Sequence, residues 1–139
     1  MVDALEAAVA YLYGNADLNV LTAGRIAVKH KFGDGWAIPS KALQLRYDGG
    51  TPDLYTERQV VRLEARCYGE SQYECSRVFA ALNTLTRSTQ RERVETTNGA
   101  ALLYWLLPTS GPSFLTDPDA GVDVILVFLE AVVSETDIP

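Results

Sequence analysis

The sequence predicts an α+β domain: a mainly antiparallel sheet with two helices packed on one face, in the order helix, three strands, helix, three strands. Three observations carry this expectation. Apolar residues recur at helical spacing in two stretches, each opened by a capping signature. Elsewhere apolar and polar residues alternate over runs of strand length. Asn98-Gly99, the strongest two-residue hairpin signal, stands between two such runs. At 139 residues, 47% hydrophobic and 22% charged, the chain has the size and balance of one globular domain spanning 1–139. No internal repeat, low-complexity tract or linker divides it.

Asp3 and Glu6 have capping-box spacing, and Leu5, Ala8, Val9 and Leu12 share a face, which predicts a helix over 3–13 stopped by Gly14 and Asn15. GNADLNVLTAG reads as a loop. In RIAVKHKF, Ile26 and Val28 alternate with polar residues, predicting a strand over 25–32 before the turn GDGWAIPS. In KALQLRYDGG, Leu43, Leu45 and Tyr47 alternate with Gln44 and Arg46, a half-buried strand ended by Gly49 and Gly50. After the loop DGGTPDLYTE comes the clearest strand. Val61, Leu63, Ala65 and Cys67 point one way, and Arg62, Glu64, Arg66 and Tyr68 the other. Ser71 and Glu74 form a second capping box, and Cys75, Val78, Phe79, Leu82 and Leu85 form the stripe of a helix over 72–86. RERVETT and AALLYWLL are the arms of the Asn98-Gly99 hairpin. Pro108, without an amide, is expected to end the second arm, and 109–121 to be a loop.

The last predicted strand, VDVILVFLEAVV, has two apolar faces. Val122, Val124, Leu126, Phe128 and Val132 lie on one, and Ile125, Val127, Leu129, Ala131 and Val133 on the other, interrupted only by Asp123 and Glu130. It is too short for a membrane helix of about 20 residues. A sheet with helices on one side needs one apolar face, so the second is covered either by the same chain or by another subunit. ALLYWLL raises the same question, with Leu102, Tyr104 and Leu106 opposite Leu103, Trp105 and Leu107. Both kinds of cover stand equally here.

The net charge of -6 argues against a duplex-binding protein, although an acidic surface suits the lining of a DNA passage, where like charge limits sticking. Cys67 and Cys75 read as buried free thiols, and their number makes no disulfide framework. The start MVDALEAAVAYLYG lacks the basic region of a signal peptide. His30, the one histidine, is flanked by lysines with no ligand or catalytic partner at a useful spacing. No G-x-S-x-G, phosphate loop, dinucleotide fingerprint or zinc set occurs. Asp117, Asp119 and Asp123 lack the twelve-residue calcium pattern and read as a solvated turn. The expectation is a non-enzymatic protein without cofactor. Its candidate contact residues are Arg87, Arg91 and Arg93, a basic cluster after the second helix; Trp36, a loop tryptophan that is either a contact anchor or a lid; Trp105; and Glu130.

The element order and several stretches resemble the tail terminator, or tail completion, proteins of long-tailed bacteriophages. The similarity runs through ALEAAVAYLYG, LTAGRIAV, IPSKALQLRYDGG and VDVILVFLEAV, and is closest in RQVVRLEARCYGESQYECSRVFAALNTL. The stretches GGTPDLYTE and PTSGPSFLTDPDAG depart from the family pattern. The resemblance implies a ring, commonly a hexamer, that caps the tail tube, stops its polymerisation and joins the tail to the head connector or stopper protein. DNA would pass through the lumen without sequence-specific binding. The implied location is the virion neck, reached from the host cytoplasm during assembly, with no membrane. The alternatives are another neck protein, a head completion or stopper protein, or a small ligand-binding domain.

Overall fold

A computed structural model describes residues 3–27, 41–52, 58–97, 99–117 and 122–135. Helix α1 (Ala4–Tyr13) begins where Asp3 Oδ1 accepts the amides of Leu5 and Glu6 at 2.9 and 3.2 Å. Glu6 does not complete the box. Its carboxylate accepts the amide and hydroxyl of Thr97 at 2.6 and 2.7 Å, tying the helix to the β-hairpin.

Asn15, expected only to stop α1, also caps a second helix, α2 (Ala16–Thr22), by accepting the Leu18 amide at 2.9 Å. This corrects the loop expected there and makes three helices among the described residues. The seven residues of α2 are too few for a periodic signal, yet Leu18 and Thr22 are buried, and the Thr22 hydroxyl donates to the Leu18 carbonyl. Ala23 and Gly24, both in the left-handed region, end the helix.

The strands are β1 (Ile26–Ala27), β2 (Ala42–Pro52), β3 (Arg58–Gly69), β4 (Glu92–Thr96), β5 (Gly99–Asp117) and β6 (Val122–Glu135), with α3 (Gln72–Ser88) between β3 and β4. They form one sheet in the order β1-β2-β3-β6-β5-β4, antiparallel throughout except for the short parallel β1–β2 pair. The α+β class and the mainly antiparallel sheet are as predicted. The finer order differs: helix, helix, three strands, helix, three strands. Residues 28–32 of the predicted first strand lie outside the described residues.

Two expected strand ends are overrun. β2 continues past Gly49, at φ 102, through a register shift between Tyr47 and Gly50. β5 continues past Pro108 to Asp117, so 109–117 is strand rather than loop. β4 accompanies β5 only to Leu103, and beyond that point β6 is the one described neighbour of β5. A proline is tolerated on such an edge, and register shifts at Pro108/Ser110 and Ser110/Ser113 absorb Pro108 and Pro112. At the β3–α3 corner Gly69 is required, because a Cβ there would lie 2.7 Å from the Cys75 amide nitrogen.

Helices α1 and α3 pack against the sheet, and α2 packs on both of them. The stripe Cys75, Val78, Leu82 and Leu85 meets the inner residues of β3, β5 and β6 in one continuous core with Ala4, Ala7, Ala8 and Leu12. Each fully buried leucine here, Leu63 and Leu129 among them, contributes about 1.5–3 kcal/mol relative to exposure.

Candidate subunit-contact surface

Directly opposed residues of an antiparallel pair share a face. Between β3 and β6 the pairs Val61/Ala131, Leu63/Leu129, Ala65/Val127 and Cys67/Ile125 point inward and are buried beneath the helices. The pairs Val60/Val132, Arg62/Glu130, Glu64/Phe128, Arg66/Leu126 and Tyr68/Val124 point outward. β5 extends the outer face with Trp105 opposite Val132, Leu107 opposite Glu130 and Leu115 opposite Val124. β2 extends it on the other side with Gln44 and Arg46, opposite Arg66 and Glu64.

The β2–β3 half of this face closes itself with polar contacts. Glu64, only 6% exposed, accepts Arg66 Nε at 2.6 Å and Arg46 Nη2 at 3.2 Å. Arg62 pairs with Asp48 at 3.1 Å and lies over the Phe128 ring, 4.7 Å from its centroid. Tyr68 donates to Gln44 Oε1 at 3.2 Å and joins Ala42 and Val124 in a small second apolar cluster.

The β5–β6 half is different. Trp105, Leu107 and Leu115 are 38%, 43% and 48% exposed, and Leu126, Phe128 and Glu130 are half-buried. Phe114, opposite Ile125 on the other face, is exposed as well. The chain itself covers Val124 and Val132, so part of the second face of β6 has internal cover and part has none. Glu130 makes no hydrogen bond or ion pair among the described residues, since Arg62, its cross-strand neighbour, is turned to Asp48 and Phe128.

Trp105 reaches this face through a register shift between Leu103 and Trp105. Simple alternation places Leu103, Trp105 and Leu107 together, opposite Leu106. The bulge instead buries both Leu103 and Leu106 and leaves Trp105 and Leu107 outside.

The arginine cluster is divided. Arg93, opposite Leu102, pairs with exposed Glu95 at 3.2 Å, a contact of little energetic weight. Arg87 stands exposed in the last turn of α3. Arg91 holds a left-handed turn at φ 52, its amide donating to the Tyr104 carbonyl at 3.2 Å. Neither Arg87 nor Arg91 has an ion-pair partner among the described residues. Trp36, His30 and Asp119 lie outside the described residues. Asp123 Oδ1 accepts the Thr116 hydroxyl at 3.5 Å.

Cys67 and Cys75 are free and buried. Burial raises both thiols, Cys75 to about 11, and the Cys75 thiol donates to the Asp123 carbonyl at 3.1 Å. Among the described residues no group of three or more His, Cys, Asp or Glu side chains is placed to hold a metal. Open depressions of about 500 Å³ along α1 and about 440 Å³ between α2 and α3 lie on the helical side. The acidic groups lining the first are already engaged, Asp3 with Tyr47 and Glu6 with Thr97. The Tyr47 hydroxyl donates to Asp3 Oδ1 at 2.6 Å and accepts the Leu5 amide at 3.0 Å. Burial and this bond push Tyr47 up to about 12, and the same bond pulls Asp3 down.

Among the described residues no helix is long and apolar enough to cross a membrane. Compared with known proteins, the chain matches no family model and no curated relative.

Proposed function

We propose that this protein is a structural assembly protein that works by binding copies of itself, specifically the tail terminator ring of a long-tailed bacteriophage. The observation that carries the self-association is the outer β5–β6 surface, where Trp105, Leu107 and Leu115 stand exposed around half-buried Leu126, Phe128 and Glu130. An apolar strip on a sheet face, rimmed by satisfied ion pairs, has the make-up of a protein contact. The tail-terminator form rests on the sequence resemblance.

In this reading the subunits join head to tail, one surface of each copy against a different surface of the next, and the rotation closes a ring. The ring, commonly of six subunits, caps the tube protein and offers its other side to the connector or stopper protein. DNA traverses the lumen, and the net charge of -6 keeps phosphates from sticking. The catalytic step is absent from this role, and location in the virion neck follows from it.

Negative-stain images of the purified protein, alone and mixed with tail tubes, test the reading. Rings seated on tube ends are the expected result. A protein that stays monomeric and leaves every tube end bare contradicts it. Rings that bind the connector and ignore tube ends would make the chain a different neck protein.

A further inference from the structure

Charges of opposite sign without ion-pair partners among the described residues sit on different layers of the molecule. Glu130 is half-buried on the outer face of the sheet, with Trp105, Leu107, Phe128 and Val132 around it. Its carboxylate has no cation partner among the described residues, and apolar side chains flank the place where a counter-charge would sit. The neighbouring acids on this face do not share the condition. Glu64 holds two arginines and Asp48 holds Arg62.

The counterpart is the corner where α3 runs into β4. Arg87 and Arg91 are exposed there without ion-pair partners among the described residues. Arg91 sits on a pinned backbone, because its amide is bonded to the Tyr104 carbonyl. α3 packs on the inner side of the sheet, so Arg87 belongs to the layer opposite Glu130.

We infer that the Arg87–Arg91 corner of one copy seats on the Glu130 patch of the next, with Trp105 and Leu107 excluding water around the ion pair. The inference rests on the ring reading and specifies its contact. A corner from the helical layer docking on the sheet face of a neighbour is heterologous, the geometry that makes rings rather than two-fold dimers. The apolar rim raises the weight of the ion pair by removing competing water.

Two charge-reversed proteins test this: Glu130→Arg, and the double variant Arg87→Glu with Arg91→Glu. Melting curves first establish that both are folded, as their surface positions lead one to expect. By sedimentation velocity, and by imaging on tail tubes, each alone assembles at least about tenfold more weakly than wild type. An equal mixture regains assembly, because alternating copies put opposite charges at every contact. A second measurement does not depend on reversal. Glu130→Cys combined with Arg87→Cys or Arg91→Cys in one chain gives an oxidised ladder that ends at the ring, whereas each single cysteine variant gives no dimer.

Failure of the mixture and of the ladder, with wild-type rings intact, overturns the contact and leaves the ring reading standing. A dimer from Glu130→Cys alone would mean a two-fold contact and overturns the inference too. Wild type that forms no ring, in solution or on tubes, removes the ring reading and this contact together.

Discussion

The two faces of β6 are built from alternate residues of one strand, and they differ in what they still require. The inner face, from Ile125 to Val133, is fully covered by the helices. On the β2–β3 side of the outer face Glu64 and Asp48 are paired with arginines, while on the β5–β6 side apolar groups are open and the Glu130 carboxylate has no ion-pair partner among the described residues. The first face makes the monomer stable. The second buries Tyr68, Val124 and Val132 within the chain and leaves Trp105, Leu107 and Leu115 open, the part that the proposed neighbour would cover. Hydrophobicity alone does not tell these apart, since Leu107 and Leu129 are the same residue type, one exposed and one buried.

Substitutions break the comparison at different depths. Leu129→Ala empties space in the middle of the core and should cost about 2–5 kcal/mol, read as a large fall in melting temperature. Gly69→Ala should cost about 1–3 kcal/mol, because its new methyl group collides with backbone at the start of α3 and the corner has to shift. Asp3→Ala removes the α1 cap and the Tyr47 contact together, and about 1 kcal/mol is expected by denaturant titration. The double change Trp105→Ser with Leu107→Ser should leave monomer stability within about 1 kcal/mol while removing self-association, measured by melting and sedimentation on the same samples. If that variant unfolds instead, the outer strip belongs to the core and the comparison fails.

The Asp3–Tyr47 pin adds a pH test. The folded carboxyl is held below its ordinary value of 3.8, so its contribution is complete above that value and is lost as pH falls through the folded one. The folded tyrosine is raised from 10.0 to about 12, so its contribution is complete below 10.0 and is lost as pH rises through about 12. Melting curves of wild type and Tyr47→Phe should therefore converge at both extremes and separate near neutrality.

What the sequence made legible was local. In β3 the alternation of Val61, Leu63, Ala65 and Cys67 with Arg62, Glu64, Arg66 and Tyr68 assigned both faces correctly, because a regular strand has a period of two. Ser71 and the stripe to Leu85 placed α3 in the same way. α2 escaped because a seven-residue helix shows too little periodicity, and Asn15 reads equally as a stop and a cap. β5 past Pro108 escaped because tolerance of a proline depends on which strands lie alongside, a tertiary fact. The bulge before Trp105 exchanged faces for the same reason. Glu130 was visible as an interruption, but its lack of a partner among the described residues depends on Arg62 pairing with Asp48 on the neighbouring strand.

The central claim, that a second copy covers the β5–β6 surface, is tested most directly by thiol labelling of Leu107→Cys. Cys67 and Cys75 are buried, with thiols raised above their usual range, and should stay silent in the folded protein. The introduced thiol is predicted to label freely in dissociated monomers and at least about tenfold more slowly in assembled rings, where a neighbour excludes reagent. Equal labelling rates in monomer and ring would contradict the account.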